Sequence, residues 1–252
     1  MSNQSHHTFH IPVMGLGYTI DTPLKVARYG IDSVVSIMED HLIEEMRRIH
    51  CEKQKREYCP INSGSATSRT NRITAYLNLL DELVQEQIEA MKSSGFKAGS
   101  ELTKYFELLP DEAMAKQVYL TMLVNKDKIL KFQLQCQLLT YVKAGSIDVN
   151  IMTKLDKSNY SSKGELLPEE FSDAKSALKG FAQSNLSSAV IFSAGMNPSL
   201  FSFCEQFDDF YPNRQGLIKK RIILKVSDFR SAMVQGKMLA KNASLSQAAS
   251  VA

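Results

Sequence analysis

SSAVIFSAGMNPSLFSFCEQF, residues 187–207, contains one whole structural unit. Ala189 to Phe192 form an unbroken apolar run, without the alternation of a strand that has one wet face, so a parallel strand covered on both faces is predicted. The run ends in small residues, Ser193 to Gly195. Asn197 then offers a helix N-cap, and Pro198 fills the first turn, where its missing N–H costs nothing. Strand, loop and helix follow one another as in a βα unit.

Neighbouring segments repeat the pattern. Upstream, SIDVNIMTKLDK (146–157) places Val149, Ile151 and Met152 in a strand ending at Thr153, Lys154 and Asp156, and SDAKSALKGFAQSN (172–185) reads as a capped helix. Downstream, KKRIILKVSD (219–228) is a strand and FRSAMVQGKMLAKN (229–242) a helix. Near the start, Ile11, Val13 and Met14 form a short run closed by Gly15 and Gly17. DTPLKVARYG (21–30) follows as a helix with Asp21 or Thr22 as cap, Pro23 at its first position and Gly30 as its stop. DSVVSI (32–37) is a second strand, and EDHLIEEMRRIHCE (39–52) a helix with Leu42, Ile43, Met46 and Ile49 on one face. Residues 52–70 are polar and turn-rich and read as a mobile surface connection, and between about residues 70 and 144 the chain reads as three or four helices, with Ile73, Leu77, Leu80, Val84, Ile88 and Met91 at three- and four-residue steps.

Parallel strands joined by helices predict an α/β fold. Small or polar residues at every strand end suit the shared rim of a (β/α)8 barrel better than the single switch point of a doubly wound sheet. The expected architecture is therefore a partial TIM-like barrel of about five βα units, with an open parallel sheet as the alternative. The domain is expected to cover residues 9–242, with 52–144 as a helical insertion and 243–252 as an irregular tail. Eight units close a barrel, so the chain reads as the N-terminal part of one, and its open strand edges favour a homo-oligomer or poor solubility.

Composition narrows the function classes. Hydrophobic residues make up 44% of the 252 positions, enough for a large core. The 30 basic and 27 acidic residues are spread along the chain, so nothing argues for nucleic acid. No apolar run reaches the roughly 18–20 residues of a membrane helix, and MSNQSHHTFH lacks a secretory pattern, so a cytoplasmic protein is expected. Cys51, Cys59, Cys136 and Cys204 have no C-x-x-C spacing, and His6, His7, His10, His41 and His50 lack a carboxylate at ligand spacing. Free thiols and no metal are expected.

IPVMGLGYTIDTPLKVARYGIDSVVSI (11–37) resembles the start of flavin-dependent barrels of the nitronate monooxygenase kind, in Pro12, Met14, Gly15, Gly17, Thr22 and Pro23. Taken with DVNIMTKLDK (148–157), SSAVIFSAGMNP (187–198) and ILKVSDFRSAMVQGKMLAKN (223–242), most of residues 9–242 resembles a bacterial protein family whose barrels are similar to the FMN domain of glutamate synthase. The resemblance implies FMN as cofactor, contacted by Met14, Gly15, Gly17, Thr19 and Thr22 of the first unit, and a small-molecule oxidoreductase activity.

The residues themselves leave alternatives open. GLGYTI lacks the third glycine of a dinucleotide fingerprint, so the first loop is either a tight turn or a ligand contact. Lys154 with Asp156, and Lys225 with Asp228, recur past two strand ends as catalytic candidates. Either lysine suits a Schiff base, a phosphate or a reduced flavin, and structurally each suits an ion pair at the rim. Ser193 and Gly195 precede a helix N-terminus that either binds an anion or is simply capped. The leading expectation is an FMN-dependent oxidoreductase; the alternatives are a lysine-dependent lyase or aldolase and a truncated, non-catalytic scaffold.

Overall fold

The computed structural model of the chain describes residues 7, 10–11, 20–154, 156–193, 195–240 and 249–251. The fold is α/β. Its strands are β1 (His10–Ile11), β2 (Asp32–Ile37), β3 (Ile147–Met152), β4 (Ala189–Ser193), β5 (Arg221–Leu224) and β6 (Ala249–Val251). They form one sheet in the order β1-β2-β3-β4-β5-β6, and β1/β2, β3/β4, β4/β5 and β5/β6 pair in parallel. Among the described residues the strand order follows the chain without the reversal that marks a doubly wound sheet.

The helices are α1 (Thr22–Val26), α2 (Asp40–Lys53), α3 (Ser68–Ser94), α4 (Glu101–Glu107), α5 (Met114–Val124), α6 (Lys128–Tyr141), α7 (Asp173–Gln183), α8 (Pro198–Phe203) and α9 (Phe229–Ala240). Two of the expected caps form, since Gly30 ends the turn after α1 at φ 75 and Asn197 Oδ1 accepts from the Leu200 amide at 3.0 Å, whereas Asp21 before α1 and Ser172 before α7 make no side-chain cap bond. Every residue of β4 is buried, as its unbroken apolar run requires.

Two compact units divide the chain. The first comprises Met1–Pro12, Asp21–Val34 and Leu80–Ile147, and the division falls inside α3. Its core gathers Ile88 and Met91 of α3, Tyr105 and Phe106 of α4, Tyr119 and Met122 of α5, and Leu138 of α6. Phe106 stacks on Tyr119 at 5.4 Å, and the Tyr105 hydroxyl donates to the Lys143 carbonyl at 3.1 Å. Burial pushes the Tyr105 phenol up to about 12. At Gly145 a Cβ would lie 2.1 Å from the Ile31 carbonyl oxygen, so only glycine lets the chain enter β3 there.

The second unit comprises Val13–Ile20, Val35–Leu79 and Asp148–Ala252. Its core includes Val35, Val149, Val190, Phe192, Ile222 and Leu224 of the sheet with Ile43, Leu77 and Phe181 of the helices. Each such side chain contributes about 1.5–3 kcal/mol by leaving water. Lys220, fully buried, closes the C-terminus of α7 by donating to the carbonyls of Phe181, Ala182 and Ser184 at 2.5, 2.8 and 2.7 Å. Burial lowers its ammonium to about 8.

Three expectations are corrected. The buried face of α2 is not the apolar set: Leu42 is 41% exposed, while Asp40, Glu44, Arg47 and His50 are buried beside Ile43. Asp40 receives Arg69 at 2.7 Å and Arg72 at 2.8 Å, and Glu44 receives Arg47 at 2.7 Å, so paired charges replace apolar burial there. The polar connection after α2 is anchored, since Arg47 donates to the Cys59 carbonyl, and the Glu44 carboxylate accepts from the Tyr58 hydroxyl and the Ile61 amide. The stretch read as an irregular tail includes a sixth strand, β6, whose Ile222↔Ala249 to Leu224↔Val251 register is parallel to β5. Its small residues carry little strand propensity, and backbone pairing defines it.

Candidate functional site

Parallel register brings the C-terminal ends of β3, β4 and β5 to one edge, with Met152 opposite Ser193 and Phe192 opposite Leu224. The Thr153 amide and hydroxyl donate to the Ser193 carbonyl at 3.0 and 2.9 Å, and the Lys225 amide to the Phe192 carbonyl at 2.9 Å. Side-chain bonds tie the loops beyond. Asn197 Nδ2 donates to the Thr153 carbonyl at 3.3 Å and to Asp156 Oδ2 at 3.1 Å, and Asp156 Oδ1 accepts from the Ala174 amide at the start of α7 at 3.0 Å.

A cavity of about 760 Å³ opens at this edge. Asn150, Met152 and Lys154 line it from alternate positions, as residues on one sheet face must, and Arg230, Ser231, Val234 and Gln235 line it from one face of α9. Ser193, Gly195 and Lys225 complete the wall. Gly195 adopts φ 124, and a Cβ there would lie 2.6 Å from Lys154 Cε and 2.9 Å from its Cγ. The aliphatic stem of Lys154 therefore lies across the Gly195 backbone.

The cavity's electrostatics are cationic. Among the described residues, Lys154, Lys225 and Arg230 enter no ion pair and no side-chain hydrogen bond. Asp228 is turned to α9, where it accepts from the Ser231 amide at 2.8 Å and from the Ser227 and Ser231 hydroxyls at 2.8 and 2.9 Å. Those donors hold its carboxyl below the usual carboxylate range. Three unpaired cations lining one cavity, from the ends of β3 and β5 and from α9, favour an anionic ligand.

Of the sequence candidates, the structure brings Lys154, Lys225, Ser193 and Gly195 together. Asp156 and Asp228 sit beside them but serve helix starts, and neither pairs with the lysine preceding it. Thr22 opens α1 in the first unit, and Met14, Gly15, Gly17 and Thr19 lie outside the described residues. Sequence reasoning passed over Asn150, Arg230 and Gln235. A partial signal was present, since Asn150 alternates with Val149 and Ile151 in IDVNIM, and Ser231 and Gln235 stand four apart on one helix beside Arg230.

Glu39, Asp40 and His41 hold ligand-type atoms within 4.8 Å of one another. Both Asp40 oxygens are taken by arginines and Glu39 caps α2 through the His41 and Leu42 amides, so the group is spent on structure. No described helix is long and apolar enough to cross a membrane. Comparison of the chain with known protein families, with curated proteins and with solved structures finds no match. The geometry is that of a cavity at the C-terminal edge of a parallel sheet, with three unpaired cations among its lining residues.

Proposed function

We propose that the chain binds FMN in this cavity and acts as an oxidoreductase on a small molecule, and that its sheet belongs to a (β/α)8-type barrel. The observation that carries the reading is the set of three unpaired cations, Lys154, Lys225 and Arg230, that line the cavity from the ends of β3 and β5 and from α9. A phosphate dianion matches them: the arginine fork offers parallel donors to two oxygens, and the lysines add point charges. The volume lies within the roughly 300–1,000 Å³ of ligand pockets. FMN held there would supply two-electron redox chemistry, with Lys154, Lys225 and Arg230 as the residues that would hold its phosphate. Lys154, laid across Gly195, would hold its charge in place. The unreversed strand order and the gathering of polar groups at strand ends support the barrel. Cys51, Cys59, Cys136 and Cys204 are free thiols, which suits a cytoplasmic setting.

Titration of the purified chain with FMN, followed by flavin fluorescence, tests the reading. Saturable one-to-one binding is expected, weakened about tenfold by each of Lys154→Met, Lys225→Met and Arg230→Met, since a charge-assisted contact contributes about 1.5–3 kcal/mol. Absence of binding removes the flavin reading. If borohydride instead traps an aldehyde on Lys154 or Lys225, detected by intact mass, the cavity belongs to Schiff-base chemistry.

A further inference from the structure

We infer that the outward face of α6 pairs with the same face of a second copy of this chain, the two helices lying antiparallel about a twofold axis. Helix α6 is apolar on two sides. Leu134 and Leu138 pack into the core of the first unit. On the opposite side Ile129, Phe132 and Cys136 follow at the three- and four-residue steps of a heptad seam, with part-buried Leu139 as the next step. Ile129 is 74% exposed, Phe132 is 65% exposed, and the Cys136 thiol is exposed and free. No residue from Phe132 to Val142 carries a charge, and uncharged Gln133 and Gln137 flank the seam. A surface helix places charges on the face it shows to water, whereas a helix apolar on all sides is a covered one.

Charge placement points to the same helix of a second copy as the cover. Lys128 and Lys131 stand in the first turn of α6, the wrong end for its own dipole, and its last turn holds no basic residue. Among the described residues neither lysine enters an ion pair. With the twofold axis between Phe132 and Cys136, Ile129 meets the partner's Leu139, and Phe132 meets the partner's Cys136. Lys128 then reaches the last turn of the other helix, where unpaired carbonyls favour a cation. A parallel pair would instead set each lysine against its own copy. The area also suffices. Covering this face, together with Val124, 78% exposed at the turn into α6, removes on the order of 600 Å² from each copy, the smaller end of specific interfaces.

Sedimentation of the full chain from about 1 to 200 μM is expected to show a monomer passing to a dimer, with a micromolar Kd as an interface of this size allows. Maleimide labelling, read by peptide mass, adds a measurement that needs no variant. Cys59 and Cys136 are exposed, while Cys51 and Cys204 are buried. Over the same range Cys136 should label several-fold more slowly as the dimer forms, and Cys59 should keep its rate. Ile129→Gln and Phe132→Gln alter exposed side chains, so each should fold as the parent does and raise the Kd about tenfold or more. Lys128→Glu suits the start of its own helix but would face carbonyls of the other, so it too is expected to weaken the dimer. A chain that stays monomeric, a dimer in which Cys136 labels as fast as in the monomer, or a dimer that Phe132→Gln leaves intact overturns the inference. Protection of Cys136 in the monomer overturns it as well, because the face would then be covered within one copy. An unchanged Kd in Lys128→Glu overturns the antiparallel order.

Discussion

Gly195 joins backbone geometry to charge placement in the candidate site. Its φ of 124 lies where L-residues are strained, and its missing Cβ is the space that the Lys154 stem occupies. Gly195→Ala is therefore expected to cost about 1–2 kcal/mol of stability and to move Lys154 off its seat. The two effects separate in a double-mutant cycle read by FMN titration. If alanine acts through the lysine, Gly195→Ala combined with Lys154→Met binds no more weakly than Lys154→Met alone. Additive losses would show that Gly195 contributes independently of Lys154. Lys220 is the contrasting lysine, buried and spent on three carbonyls at the end of α7, a structural bolt with no access to ligand.

Helices α2 and α3 are joined by charge. Burial pushes the Asp40 carboxyl up, but Arg69 and Arg72 overcome it and hold it below its ordinary 3.8. Burial likewise raises Glu44, and the bonds from Arg47, the Ile61 amide and Tyr58 bring it below 4.5. Depressed carboxyls contribute stability that is fully present above their unfolded values and is lost as pH falls through the folded ones. Asp40→Asn leaves the buried Arg72 guanidinium without a counter-charge, while Arg69 keeps Asp173 at 3.5 Å, and should cost about 3 kcal/mol at neutral pH. Urea denaturation from pH 7 down to pH 3 checks both points: the variant starts lower, and its stability falls less steeply below pH 4. An equal slope in variant and parent would mean that Asp40 does not set the acid limb. This element also marks a limit of sequence reading. Leu42, Met46 and Ile49 signalled a face by hydropathy, whereas Asp40, Glu44 and Arg47 are buried because partners distant in sequence neutralise them, and no local pattern encodes Arg72 opposite Asp40.

At the scale of the molecule, the strands from β2 to β5 were legible from short apolar clusters, Val34–Val35, Val149 with Ile151–Met152, Ala189–Phe192 and Ile222–Leu224, and the caps Asn197 and Gly30 because their chemistry is local. The cavity was half legible. Lys154 and Lys225 stood out at strand ends, but Asn150 and Gln235 mean something only once β3 and α9 face one cavity. The two units also differ in how their residues are collected. Most of the first comes from one stretch, Leu80–Ile147, while the second needs contacts such as Arg69 to the Asp173 carbonyl, 104 positions apart. Near contacts close before distant ones, so pulse-labelled hydrogen exchange during refolding should protect α4 to α6 ahead of α7. Simultaneous protection of both would show that the division has no kinetic meaning. During synthesis on a ribosome, α2 and the start of α3 emerge long before Asp148–Ala252, and must wait in water for their sheet. The ion pairs from Asp40 to Arg69 and Arg72 span only 29 and 32 positions, so both partners are out of the ribosome together, whereas the apolar face at Ile73 and Leu77 has no sheet to cover it until the last third of the chain is made.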